Sequence, residues 1–139
     1  MSYEEKRTWI YAVVAIAAPA VYVTYILGKV ASTPVTDIDY VGAMLIAIGG
    51  AILASIVAGM FIGISSSKEA GRKDERDQEI GHRGFILGFF VFSILMVAPL
   101  VMAMAEVPHF WIANTIYLAF ALTAFLYSVL KIVAYRRGF

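Results

Sequence analysis

The sequence predicts an all-α integral membrane protein, with four transmembrane helices arranged as two hairpins in a four-helix bundle and both termini cytoplasmic. Three observations predict this. The stretches Thr8–Leu27, Val41–Ile64, Phe85–Ala105 and Phe110–Leu130 contain no Lys, Arg, Asp, Glu or His. Each reaches the ~20 residues with which a helix, rising about 1.5 Å per residue, crosses a ~30 Å hydrocarbon core. Of the eleven Lys and Arg, only Lys29 falls on the opposite side of these spans from the rest, and cytoplasmic flanks carry the Lys/Arg excess. Finally, 61% of the residues are hydrophobic and the mean hydropathy is +0.81, against an apolar usage of about 45–50% in soluble domains. The 139 residues make a single transmembrane domain in the plasma membrane of a cell, with residues 65–84 as its one sizeable cytoplasmic loop.

Span one follows Lys6 and Arg7, and its apolar run continues past Ala18-Pro19-Ala20 to Leu27. It therefore reads as a retained helix rather than a cleaved signal peptide. Beyond it, Ser32-Thr33-Pro34 stops the helix, Asp37 and Asp39 keep the outer loop wet, and Thr36, Asp37 or Asp39 is placed to cap span two. The outer turn Glu106-Val107-Pro108-His109 is so short that spans three and four must be antiparallel neighbours. Glu106 and His109 are three apart in it and can pair. Pro19 and Pro99 sit mid-span in similar settings, Ala17-Ala18-Pro19 and Val97-Ala98-Pro99; this fits either a duplicated hairpin or two independent kinks. Tyr3, Trp9, Tyr11 and Tyr135 mark the inner edge, and Tyr40, Phe110 and Trp111 the outer edge, where amphipathic rings anchor helices at headgroup level.

Span two is the most patterned element. Ala43, Ala47, Ala51, Ser55, Gly59 and Gly63 recur every fourth residue, and small residues let membrane helices approach closely. Gly59-x-x-x-Gly63 and Gly84-x-x-x-Gly88 lie at the same cytoplasmic depth on spans two and three. Two readings of this packing interface are open. Spans two and three meet through it inside one bundle, or one small face remains for a second copy or another membrane protein.

The central loop mixes signs: from Lys68 to Arg83 it holds acids and bases in equal number. Lys73–Asp77 and Glu79–Arg83 at i,i+4, with Arg76–Glu79 at i,i+3, favour a charged helical turn extending span three at about 0.2–0.5 kcal/mol per pair. Such alternation reads as an ion-paired, solvated face rather than a cation site at Asp74, Glu75, Asp77 and Glu79. The segment Asp74-Glu75-Arg76-Asp77-x-x-Ile80, followed by a glycine and an apolar span, resembles uncharacterised small bacterial, actinobacterial-type, four-span membrane proteins. The opening from Met1 to Tyr11 is similar to the start of such proteins. The resemblance implies a bacterial source and the same topology, and no activity. Asp74, Glu75, Arg76, Asp77 and Ile80 are then the expected partner-facing loop.

Little here supports chemistry. The chain has no cysteine, which removes disulfides and thiolate ligands. His82 and His109 belong to opposite membrane faces, so one copy cannot bring them to a single metal. Intramembrane ionisable residues mark ion and proton paths, and these spans have none, unlike the small multidrug exporters of similar size. The reading is a non-enzymatic protein that acts through helix–helix association, as a homo-oligomer or accessory subunit, with no cofactor, metal or nucleic-acid partner and with the bilayer as its medium. The alternative is an oligomeric pore or small-solute transporter lined by Ser55, Asn114 and Thr123. Asn114 is also placed for an interhelical hydrogen bond.

Overall fold

The computed structural model describes residues 1–68 and 73–138, and all regular structure among them is helical. The elements are α1 (Tyr3–Val30), a 3₁₀ turn (Val35–Asp37), α2 (Val41–Ser65), α3 (Glu75–Leu95), α4 (Val97–Met104) and α5 (His109–Arg137). Among the described residues, four helical segments are long and apolar enough to cross a membrane: α1, α2, α3 continued through α4, and α5. These contain the four uncharged stretches except for Ala105, and three of them run well beyond. The expected loop 65–84 is about half as long, since α2 runs to Ser65 and α3 begins at Glu75.

Local chemistry explains the ends. Ser2 caps α1 by accepting from the Glu5 N–H at 3.1 Å, and Glu4 and Glu5 face the positive end of the helix dipole. Neither Asp37 nor Asp39 caps α2: its N-cap is Tyr40, without a side-chain cap bond. The α3–α4 break falls at Met96, because Pro99 has no N–H to donate back to Leu95 and its ring crowds that carbonyl. Pro19 lies inside an uninterrupted α1, so the two prolines act differently.

The end of α4 is a Schellman turn. The Val107 N–H donates to Met102 O at 3.0 Å and the Glu106 N–H to Ala103 O at 3.1 Å, which satisfies carbonyls the helix leaves open. Glu106 carries φ 57° there, a left-handed conformation that costs an L-residue about 1–2 kcal/mol. Glu106→Gly is therefore expected to stabilise the protein by about 1 kcal/mol, read as a raised unfolding midpoint in a detergent thermal scan. Glu106→Asn should give a smaller rise.

The helices pack principally as a row. α1 lies between α2 and α5, and α5 lies between α1 and the α3–α4 segment. The turn between α4 and α5 joins neighbours, as its brevity requires. Of the two open readings, the one that joins spans two and three is not the main packing: α2 lies on α1 and α3 on α5. At the end carrying this turn, Tyr22, Ile26, Ile38, Tyr40, Phe110 and Tyr117 form the main buried cluster. Tyr40 and Phe110 thus serve as core, their rings 5.3 Å apart edge to face, rather than as headgroup anchors. Trp111 keeps 45% of its surface exposed.

Candidate functional site

The small-residue stripe of α2 faces α1. Ala43, Ala47, Ala51, Ser55, Gly59 and Gly63 are all half-buried while most of α2 around them is exposed. Ala43 and Ala47 pack against the buried tyrosine cluster, and a Cβ on Gly63 would lie 3.7 Å from the Tyr3 hydroxyl. A Cβ on Gly59 would meet nothing within 4 Å, so that part of the seam is loose. Small residues are found where backbones approach, and here the approach is to span one.

Gly84 and Gly88 belong to a different seam. Both are buried on α3. A Cβ on Gly84 would come within 3.0 Å of Tyr127 Cε2 and 3.4 Å of Lys131 Cγ on α5, and one on Gly88 within 3.7 Å of Tyr127 Cδ2. The two glycine motifs, which one of the open readings brings together, therefore pack against separate helices.

The Asp74–Ile80 segment docks α3 onto the end of α5. Asp74 is the N-cap: its side chain accepts from the Asp77 N–H at 2.7 Å, and the Asp77 carboxylate accepts from the Asp74 N–H at 3.3 Å. This reciprocal capping box satisfies two donors that a helix start leaves free. The other Asp77 oxygen accepts from the Tyr135 hydroxyl at 2.8 Å. Arg76 donates to the carbonyls of Tyr135 at 3.1 Å and Ala134 at 3.4 Å, placing a cation at the negative end of α5. Ile80 is 1% exposed. The segment expected to face a partner instead has Arg76, Asp77 and Ile80 committed to the fold, and Glu75 remains exposed. Of the predicted ion pairs, Glu79–Arg83 forms, while Arg76 goes to α5.

Around this junction lies a polar cluster that sequence reasoning missed. Glu4 and Thr8 are buried on α1, with the Thr8 hydroxyl donating to Glu4 O at 2.8 Å. Arg7 donates to the Tyr11 hydroxyl at 2.6 Å, lies 3.7 Å from the Glu4 carboxylate, and stacks its guanidinium over the Tyr3 and Tyr11 rings. Lys131 places its ammonium 5.4 Å from the Tyr127 ring centroid, and Arg136 lies over Trp9 and 3.7 Å from Glu5. The signal was present as spacing: Glu4, Thr8 and Tyr11 share one face of α1, and Tyr127, Lys131 and Tyr135 share one face of α5.

The remaining polar candidates lie apart. Asn114 accepts from the Tyr22 hydroxyl at 2.6 Å and donates to Phe110 O at 2.7 Å, the interhelical bond its position suggested. Such bonds are worth about 0.6 kcal/mol on average in membranes. The Thr123 hydroxyl is buried without a hydrogen-bond partner among the described residues, beside Gly88. Ser55 belongs to the α1–α2 seam, so the three residues of the pore alternative do not line one path in a single copy. His109 packs against the Tyr40 ring, and among the described residues no Glu106–His109 bond forms. An open apolar groove of about 750 Å³ runs between α1 and α2. No family model matches the chain, and no similar curated protein or solved structure was found.

Proposed function

We propose that this chain is a non-enzymatic, multi-pass protein of a bacterial plasma membrane, acting through lateral helix association as a homo-oligomer or accessory subunit. Its four spans form two antiparallel hairpins, and the termini and the charged end lie in the cytoplasm, where the Lys/Arg excess belongs. The bacterial assignment rests on the resemblance carried by the Asp74–Ile80 segment and the opening residues.

One observation carries the association reading. α2 has no buried residue over its 25 positions and forms the edge of a row of helices. Its small stripe is turned to α1, so the face available for association is the bulky one bearing Leu45, Leu53 and Phe61, each more than half exposed. Closed two-fold dimers use the same patch on both copies, and an α2–α2 contact would close the open edge. The non-enzymatic reading is supported by the charged cluster, whose acids and bases hold α1, α3 and α5 together rather than converging on a cleft.

The absence of native cysteine makes the test clean. Single cysteines at Leu53 or Phe61 on α2, oxidised in native membranes, are expected to give a disulfide-linked dimer, whereas one at Phe85 on the far edge is not. A monomer at every α2 position, together with a purified particle of one chain and no co-purifying membrane protein, would overturn the proposal. Leucine at Gly59 or Gly63 reports on the α1–α2 seam instead and is no test of association.

A further inference from the structure

The groove between α1 and α2 has features that narrow its occupant. It is walled by Val14 and Tyr25 on α1 and by Gly42, Gly50 and Ala54 on α2, with Asp39 at its mouth. It exists because side chains are missing: a Cβ on Gly42 or on Gly50 would meet nothing within 4 Å. From Gly42 to Ala54 a helix rises about 18 Å, so the groove runs from the membrane boundary to near the bilayer centre, the depth of one ~15 Å leaflet. At the far end of α2 the helices are tied together, with Tyr3 against Gly63 and the Lys6 ammonium donating to Ser66 Oγ at 3.5 Å. A helix from another copy needs a seam along the whole span. An acyl chain needs only one leaflet's depth.

The mouth is charged in a matching way. Asp39 is exposed there. Lys29 holds its ammonium 5.5 Å from the ring centroid of Tyr25, a groove wall. Asp39 lines the opening and Lys29 stands over the ring of a groove wall, which suits a headgroup with an ammonium for Asp39 and a phosphate for Lys29. A headgroup with no positive charge would leave Asp39 without a counter-charge and set its phosphate nearby.

We propose that this groove is a binding site for one phospholipid with an ammonium-bearing headgroup, taken from the leaflet at the α4–α5 turn end, with an acyl chain lying along Gly42, Gly50 and Ala54. The site does not depend on lateral association. A protein that oligomerises but keeps no lipid would overturn the site and leave association standing.

The test is native mass spectrometry of the full chain in a non-ionic detergent, after incubation with phosphatidylethanolamine or phosphatidylglycerol of identical chains. The wild type is expected to retain one phosphatidylethanolamine in preference to phosphatidylglycerol. Gly50→Leu and Ala54→Leu fill the groove and should lose that lipid, whereas Gly49→Leu, one position away and outside the groove, should keep it. Asp39→Asn should retain lipid but lose the headgroup preference. Equal retention of both lipids by the wild type, retention by both groove-filling variants, or a dimer that excludes lipid from the groove would each overturn the proposal.

Discussion

Replacing Gly84 with leucine is expected to separate α3 from α5 and to leave a protein that unfolds well below the wild type in a detergent thermal scan. At this position even one carbon is crowded, since a Cβ would stand 3.0 Å and 3.3 Å from two atoms of the Tyr127 ring. Overpacking of this kind costs about 1–3 kcal/mol, and a four-carbon side chain cannot be absorbed without moving the ring. Moving the ring disturbs the Lys131 ammonium that sits over it. Gly81, one turn earlier on α3, is the control: a Cβ there meets nothing within 4 Å. Gly81→Ala should therefore raise stability by up to about 1 kcal/mol through helix propensity alone. Opposite signs for alanine at Gly84 and Gly81 would be hard to obtain from any cause other than the ring contact. Tyr127→Ala should rescue Gly84→Ala in part, by removing the atoms in the way. If Gly84→Leu unfolds at the wild-type midpoint, the α3–α5 seam is misplaced.

The spans were legible because the hydrocarbon core imposes two conditions that composition reveals directly, a minimum length and the exclusion of charge. What lies outside the core is under neither condition. α1 therefore extends back to Tyr3, α3 begins at Glu75, and α5 continues to Arg137, held there by caps and interhelical bonds. Partner choice was the other illegible quantity. A small residue states that a backbone can come close, not which backbone, so Gly63 and Gly84 allowed one shared seam and serve two. Tyr40 and Phe110 read as a headgroup belt because aromatic rings suit both an interface and a core. Only the fold of residues 31–40 back over α1 decides between those uses. Asn114 was read correctly, because an amide one turn inside the boundary needs a partner wherever it points.

The resemblance-bearing Asp74–Ile80 segment supplies the second large effect, and it separates a structural role from a partner-binding one. Asp77 performs two jobs at once, completing the capping box with Asp74 and accepting from the Tyr135 hydroxyl. Losing its half of the capping box, the bond from the Asp74 N–H, is worth about 0.5–1.5 kcal/mol and the hydrogen bond between Tyr135 and the charged carboxylate about 1.5–3 kcal/mol, so Asp77→Ala should destabilise the protein by a few kcal/mol. Tyr135→Phe removes only the second contribution. A double-mutant cycle on the two residues is expected to show a coupling of about 1 kcal/mol or more. Ile80→Ala empties a site that is 1% exposed and should cost about 2–5 kcal/mol, the range for large-to-small changes in packed sites. Glu75→Gln, on an exposed side chain outside these contacts, should cost at most about 0.3–1 kcal/mol, the worth of an acid in the first turn of a helix. A partner-facing loop would behave in the opposite manner: its variants would keep the unfolding midpoint and lose association. The expected result is a lowered midpoint, together with α2 cysteine cross-linking that persists at temperatures where the variant remains folded. That outcome would make the segment the clasp that seats α3 on α5 and would leave the α2 edge as the place where association occurs.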